Sequence, residues 1–281
     1  MTSSHWRFGI TLALLCFAWI LPATVGAQPP VYLTQWGSYG PGDGQFNGPC
    51  GVATDAAGDV YVVDRYNHRI QKFTGTGTYL TQWGSLGTGN GQFDNPAGVA
   101  TDAAGDVYVA DGANYRIQKF TGTGTYLTKW GSYGGGNGQF GGPQGVATDA
   151  AGNVYVADSG NNRIQKFTNT GTYLTKWGST GSGDGEFIFP PGVATDAAGN
   201  VYVTDLINYR IQKFTGTGTY LTQWGSNGSG NGQFDTPLGV ATDAARDVYV
   251  ADSNNYRIQK FGDASTPTKA TSWGRLKSLY R

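Results

Sequence analysis

The sequence predicts an all-β fold, a β-propeller of four-stranded antiparallel blades, on three observations. One unit is written five times, with its tryptophans at Trp36, Trp83, Trp130, Trp177 and Trp224, each 47 residues after the last. Self-similarity at such a period marks a repeat architecture. Within a unit, four short stretches rich in Val, Ile, Tyr and Trp alternate apolar with polar residues between Gly-rich turns, as antiparallel strands do. No stretch of the unit has helical periodicity, and four strands in about 45 residues without a helix are the signature of a propeller blade.

The second copy shows the elements in order. Gly98 to Asp102 is short and extended, and Ala103-Ala104-Gly105 turns. Val107 to Ala110 alternates large residues and ends in Asp111, and a polar loop leads to Arg116-Ile117-Gln118-Lys119-Phe120. Thr121 to Thr125 turns again, and Tyr126 to Trp130 is the fourth strand. Such a unit cannot bury both faces alone; stacking blades around an axis buries them and leaves only short sheet edges. Solenoids such as β-helices use shorter repeats.

The succession Pro-x-Gly-Val-Ala-Thr-Asp, Gly-(Asp/Asn)-Val-Tyr-Val-x-Asp, Asn-x-Arg-Ile-Gln-Lys-Phe, Trp-Gly-Ser and Gly-(Asp/Asn)-Gly-(Gln/Glu)-Phe resembles the NHL repeat, over residues 31–261. Asn67-His68-Arg69-Ile70 carries the Asn-His pair of that family's name. The resemblance implies a propeller, most often of six blades. This chain writes the first three strands five times, from Gly51, Gly98, Gly145, Gly192 and Gly239. The fourth strand also occurs five times, but its first copy, Tyr32 to Trp36, precedes the first unit. That N-terminal strand is expected to complete the last blade, giving five blades; six blades or an incompletely closed ring are the alternatives. Ala270 to Gly274 is a weaker copy that competes for the same edge.

Three segments follow: residues 1–27, the propeller over 28–261, and a C-terminal strand or basic tail over 262–281 with Arg275, Lys277 and Arg281. Arg7, the apolar run Phe8 to Leu21, Pro22 and the small residues before Gln28 read as a secretory signal peptide. The expected location is secreted or periplasmic, and the rest of the chain has no stretch of the roughly 20 apolar residues that span a bilayer. Cys50 is the only cysteine after that leader, so no internal disulfide is expected there. Its predicted state is a buried free thiol.

The formal net charge is zero and 14% of residues are charged. No basic stripe exists to hold nucleic acid or anionic lipid. The expected partner is a protein or a glycan, and the oligomeric state is left open. The turns between first and second strands and between third and fourth strands are nearly identical in every copy, whereas loops at the opposite end differ. Those loops supply the candidate binding residues Arg65, Tyr66, His68, Tyr115, Asn161, Ile188, Phe189, Leu206, Ile207, Tyr209, Asn254 and Tyr256. A constant frame with diversified Tyr, Asn and Ser loops suits recognition. Ile188, Phe189, Leu206 and Ile207 share one pair of neighbouring loops, and an apolar cluster there would mark a contact site.

Charged positions recur too. Asp64, Asp111, Asp158, Asp205 and Asp252 each stand five residues before Arg69, Arg116, Arg163, Arg210 and Arg257. They are expected to form Asp–Arg pairs that pin each loop. Asp55, Asp102, Asp149, Asp196 and Asp243 end the first strands, where the expected partners are amides of their own turns. The Gly-x-Gly-(Asp/Asn)-Gly loops offer one acid each at most, too few for a calcium loop. No metal site and no cofactor is assigned, with calcium kept as the one alternative. His68 is the only histidine after the leader and Glu186 the only glutamate. That leaves no multi-histidine metal centre, and a serine triad would lack its Gly-x-Ser-x-Gly elbow. A non-enzymatic binding propeller is the leading expectation. A calcium-dependent hydrolase or lyase of the lactonase type is the alternative.

Overall fold

In the first blade the strands form where the alternation is strongest: β1 Pro49–Thr54, β2 Val60–Asp64, β3 Arg69–Phe73 and β4 Tyr79–Trp83. The computed structural model describes residues 33–262, and the propeller begins at Gln35. The second blade holds β5 Pro96–Thr101, β6 Val107–Asp111, β7 Arg116–Phe120 and β8 Tyr126–Trp130. The third holds β9 Pro143–Thr148, β10 Val154–Asp158, β11 Arg163–Phe167 and β12 Tyr173–Trp177. The fourth holds β13 Val193–Thr195, β14 Val201–Asp205, β15 Arg210–Phe214 and β16 Tyr220–Trp224, and the fifth β17 Pro237–Thr242, β18 Val248–Asp252 and β19 Arg257–Phe261. All neighbours are antiparallel and consecutive in sequence, so every blade is a simple meander.

Five blades are present, as the repeat count predicts. Register is common to them: Asp64 faces Arg69 across β2 and β3, and Ile70 faces Trp83 across β3 and β4. β13 is shorter because Thr204 stands where the other blades carry Val or Ala. Its hydroxyl accepts the Gly192 N–H at 2.7 Å and donates to the Leu238 carbonyl at 3.0 Å.

The core lies between blades. Tyr61, Val63 and Ile70 of the first blade pack against Phe93, Val99, Val107, Val109 and Phe120 of the second. The same set recurs at the next three junctions. At the axis, glycines let the first strands touch: a Cβ on Gly51 would come within 2.7 Å of the Ala97 carbonyl. Threonines stitch the other end, where Thr101, Thr148, Thr195 and Thr242 each donate to the equivalent carbonyl one blade earlier at 2.7 Å.

The fifth junction, between blades 5 and 1, is not formed among the described residues. Ile258 is 66% exposed where Ile70, Ile117, Ile164 and Ile211 are buried, and Val52 on the facing blade is 68% exposed. A Cβ on Gly239 would meet only Ala251, at 3.7 Å, for lack of a neighbouring first strand. The expectation that an N-terminal strand completes the last blade is therefore corrected: residues 33–38 carry no strand, and blade 5 has three strands among the described residues. A second expectation is also corrected. Cys50 is a free thiol but exposed rather than buried, with its Sγ facing the Ala97 carbonyl of blade 2 at 3.4 Å. The leader over residues 1–27, and the tail reading from 263 onward, fall on residues outside those described.

Candidate functional site

Each blade carries its variable loops on a fixed polar frame at the end where β2 and β3 meet. The loop between β2 and β3 and the loop entering β1 share that end: the Tyr66 N–H donates to the Asn47 carbonyl at 3.0 Å. Asp64 is fully buried and accepts from Arg69 Nε at 2.7 Å, Asn67 Nδ2 at 2.9 Å, the Asn47 N–H at 2.7 Å and Gln71 Nε2 at 3.2 Å. Arg69 Nη2 donates to the carbonyls of Gly42 and Gln45, at 2.8 and 2.9 Å. One ion pair thus fixes two loops, with every acceptor of the carboxylate and most donors of the guanidinium in use. Pairs Asp111–Arg116, Asp158–Arg163, Asp205–Arg210 and Asp252–Arg257 repeat it, at 2.7 to 2.8 Å.

Burial pushes the Asp111 carboxyl above its ordinary value, ahead of the donors that oppose it. For Asp252 burial acts in the same direction, but the Asp235 N–H, Asn255 and Arg257 outweigh it and the pKa is lowered. Asp252 stands in the last blade, with no following blade to exclude solvent, and its desolvation is correspondingly weaker.

The predicted loop residues separate into three groups. Asn161 belongs to the frame: its amide donates to the Gly134 carbonyl and to Asp158, both at 2.8 Å. Its equivalents Asn67, Asn114, Asn208 and Asn255 do the same, so invariance across the copies was the signal of this frame role. His68, Tyr115, Tyr209 and Tyr256 occupy one repeated position with φ of 53° to 55°, where the chain reverses into β3. That left-handed backbone costs about 1 kcal/mol for a residue with a Cβ. His68 Nδ1 accepts the Asn95 N–H at 3.3 Å, Tyr115 meets Tyr133 edge-on at 4.9 Å, and Tyr209 packs on the fourth junction. Tyr256 is 95% exposed.

The remaining residues sit at loop tips. Tyr66, Phe189 and Ile207 are exposed, whereas Ile188 and Leu206 are half-buried. The two loops of blade 4 are tied by the Ile207 N–H to the Ile188 carbonyl, at 3.3 Å, and Phe189 donates its N–H to Asn162 Oδ1 of blade 3 at 2.7 Å. Asn254 bonds Asp235 and Thr236 of its own blade, and Arg65 turns toward the axis. Sequence reasoning missed Tyr39, Leu86 and Tyr133, exposed on the same end just after each Trp-Gly-Ser. It also missed the position of Cys50, Ala97, Gln144, Pro191 and Leu238, which rings the axial mouth. Both positions vary from copy to copy, and that variation was the available signal.

At the opposite end the acids serve their turns. Asp55 Oδ1 accepts the Ala57 and Asp59 N–H groups at 3.0 Å, and Oδ2 accepts the Tyr61 hydroxyl at 2.9 Å. Burial works against the charge of Lys72, but bonds to Asp59 and Tyr61 hold its pKa above the ordinary lysine value. Among the described residues no three His, Cys, Asp or Glu side chains form a group able to hold a metal ion.

Comparison with known proteins places this geometry. The NHL repeat model matches residues 46–73, 93–120, 140–167 and 234–261, four of the five copies. The B-box type zinc finger protein ncl-1 of Caenorhabditis elegans and protein brain tumor of Drosophila melanogaster are each 44% identical over 50 residues, 18% of this chain. Those stretches are only 6% and 5% of the two relatives. A chain of a nidogen/laminin complex is similar with a TM-score of 0.58 and 19% identity, over 76% of this chain and 75% of that one. A streptogramin B lyase gives 0.55 and 15%, over 76% and 68%. Likeness at these identities concerns the fold. The described residues form a five-bladed β-propeller, and four of its five sequence copies match the NHL repeat.

Proposed function

We propose that this propeller is a non-enzymatic binding protein whose variable loop end recognises a protein or a glycan. The observation that carries the reading is the exposure of Tyr66, Phe189, Ile207 and Tyr256 at tips whose backbones are locked by the Asp–Arg frame. Large rigid side chains on an ordered backbone lose little entropy on binding, which is what recognition surfaces use. The likeness to a chain of a nidogen/laminin complex supports a protein partner. The proposed setting is outside the cytoplasm, after removal of residues 1–27.

The test is a panel of matrix proteins and an array of glycans, probed with the purified chain and with a variant carrying Tyr66, Phe189, Ile207 and Tyr256 as Ser. Saturable binding that the variant loses at unchanged Tm is the expected result. Binding that survives all four changes would move the site off this end. A second reading, a calcium-dependent hydrolase or lyase, draws on the likeness of fold to streptogramin B lyase. Calorimetric titration with calcium separates the two, since a saturating heat abolished by changing loop-end Asp and Asn residues would favour the enzyme.

A further inference from the structure

The axis holds a chamber of about 550 Å³, within the range of small-ligand sites. Its walls are mostly apolar, from Val99, Val146, Val193 and Val240 of successive blades, and it reaches Ile258 at the open seam. A second hollow of about 330 Å³ lies over blades 1 to 3, away from that seam. Arg65, Ala97 and Gln144 line both.

Two of those three residues break the repeat in the same place. The positions equivalent to Arg65 are Gly112, Ser159, Leu206 and Ser253, so one blade alone brings a cation there. The positions equivalent to Gln144 are Cys50, Ala97, Pro191 and Leu238, so one blade alone brings an amide. Neither side chain is engaged in the frame. The Arg65 guanidinium makes no hydrogen bond or ion pair among the described residues, and its Nε is buried without a partner. The nearest acid in sequence, Asp64, is already saturated by Arg69, Asn67, Asn47 and Gln71. A desolvated guanidinium donor without an acceptor is costly, and the natural compensation is an anion.

We propose that the chamber binds a small organic carboxylate. The Arg65 fork holds the carboxylate, the Gln144 amide donates a further hydrogen bond, and the valine wall takes the hydrocarbon part. A planar acceptor with two oxygens matches a guanidinium better than a spherical ion does. The apolar wall selects against small hydrophilic acids. This site is independent of the loop-tip surface, and neither reading needs the other.

The experiment is calorimetric titration of the purified chain with phenylacetate, 3-phenylpropionate and 4-phenylbutyrate, with 4-phenylbutanol as the uncharged control. At least one carboxylate is expected to bind saturably, and the alcohol at least about tenfold more weakly, the worth of roughly one charge-assisted pair. Arg65→Gln should weaken the carboxylate by about the same factor at unchanged Tm, because Arg65 contributes no bond to the fold. Arg65→Lys keeps the charge without the fork and should fall between. A bound carboxylate should also slow alkylation of Cys50, which lines the chamber mouth, while the alcohol should not. The proposal is overturned by equal binding of acid and alcohol, by an Arg65→Gln variant that binds as well as the parent, or by no saturation with any of the three acids at on the order of 10 mM.

Discussion

Trp36 packs against Phe73 with ring centroids 5.8 Å apart, the contact that Trp83 makes with Phe120 at 5.7 Å. Trp83 ends the outer strand of one blade, and Phe120 ends the third strand of the next. Trp36 therefore seals blade 1 as if a blade preceded it. It does so without a ladder partner among the described residues. Replacing Trp36 with Ala should cost about 2 kcal/mol of stability, from lost apolar burial and a lost aromatic contact. Urea denaturation beside Trp224→Ala, which breaks the corresponding contact with Phe261, checks it. A Trp36 variant as stable as the parent would show that this contact seals nothing.

The unequal fate of identical strands gives a second prediction. β3 and β19 share the sequence Arg-Ile-Gln-Lys-Phe, yet Ile70 is buried and Ile258 is 66% exposed. Exchange protection follows local burial and pairing more than sequence. Amides of β19 should exchange at least about tenfold faster than those of β15, which is flanked on both sides. Hydrogen exchange read by mass spectrometry on peptides spanning 210–214 and 257–261 decides it. Equal protection would mean that solution closes the seam left open here.

That contrast marks what the sequence could and could not show. Strand positions, register and blade number follow from local alternation and turn glycines, which each 47-residue copy states for itself. Closure depends on contact between the first and last copies, and no local pattern encodes whether Val52 meets Ile258. The loop end divides the same way. Arg69 and Asp64 were legible because their spacing repeats. Asn161, read as a loop residue, also serves the frame, and its presence in every copy was the signal for that. The turn of Arg65 toward the axis is a tertiary fact that spacing does not contain.

Acid stability should depend on the turn acids. Burial of Asp149 works to raise its pKa, but the Asn153 side chain and N–H and the Tyr155 hydroxyl, at 2.8 to 2.9 Å, outweigh it and hold the pKa below the ordinary 3.8. A folded value below the unfolded one stabilises the fold above pH 3.8, and that contribution is lost as pH falls through the folded value. Asn153→Ala removes one donor, so the acid limb of the unfolding curve should move to higher pH. At neutral pH the loss should be at most about 1 kcal/mol. Urea midpoints measured between acid and neutral pH test both parts, and an acid limb that stays in place would remove Asp149 from the account.

Arg246 offers the last prediction, because it isolates backbone strain from packing. Gly58, Gly105, Gly152 and Gly199 occupy this turn in the other blades with φ of 80° to 82°, and Arg246 holds 67°. A Cβ added to Gly58, Gly105 or Gly199 meets nothing within 4 Å, so space does not forbid a side chain. The Arg246 N–H also keeps the turn bond to the Asp243 carbonyl, at 3.0 Å. What remains is the left-handed conformation itself, worth about 1 kcal/mol for a residue with a Cβ, less the entropy a glycine adds to the unfolded chain. Arg246→Gly should therefore stabilise by at most about 0.6 kcal/mol, and Gly105→Arg should destabilise by the same amount. Thermal denaturation of the two variants gives the comparison. Equal and opposite shifts identify the strain as a property of the turn, whereas a much larger loss in blade 2 would show that the three-stranded last blade lets Arg246 relax.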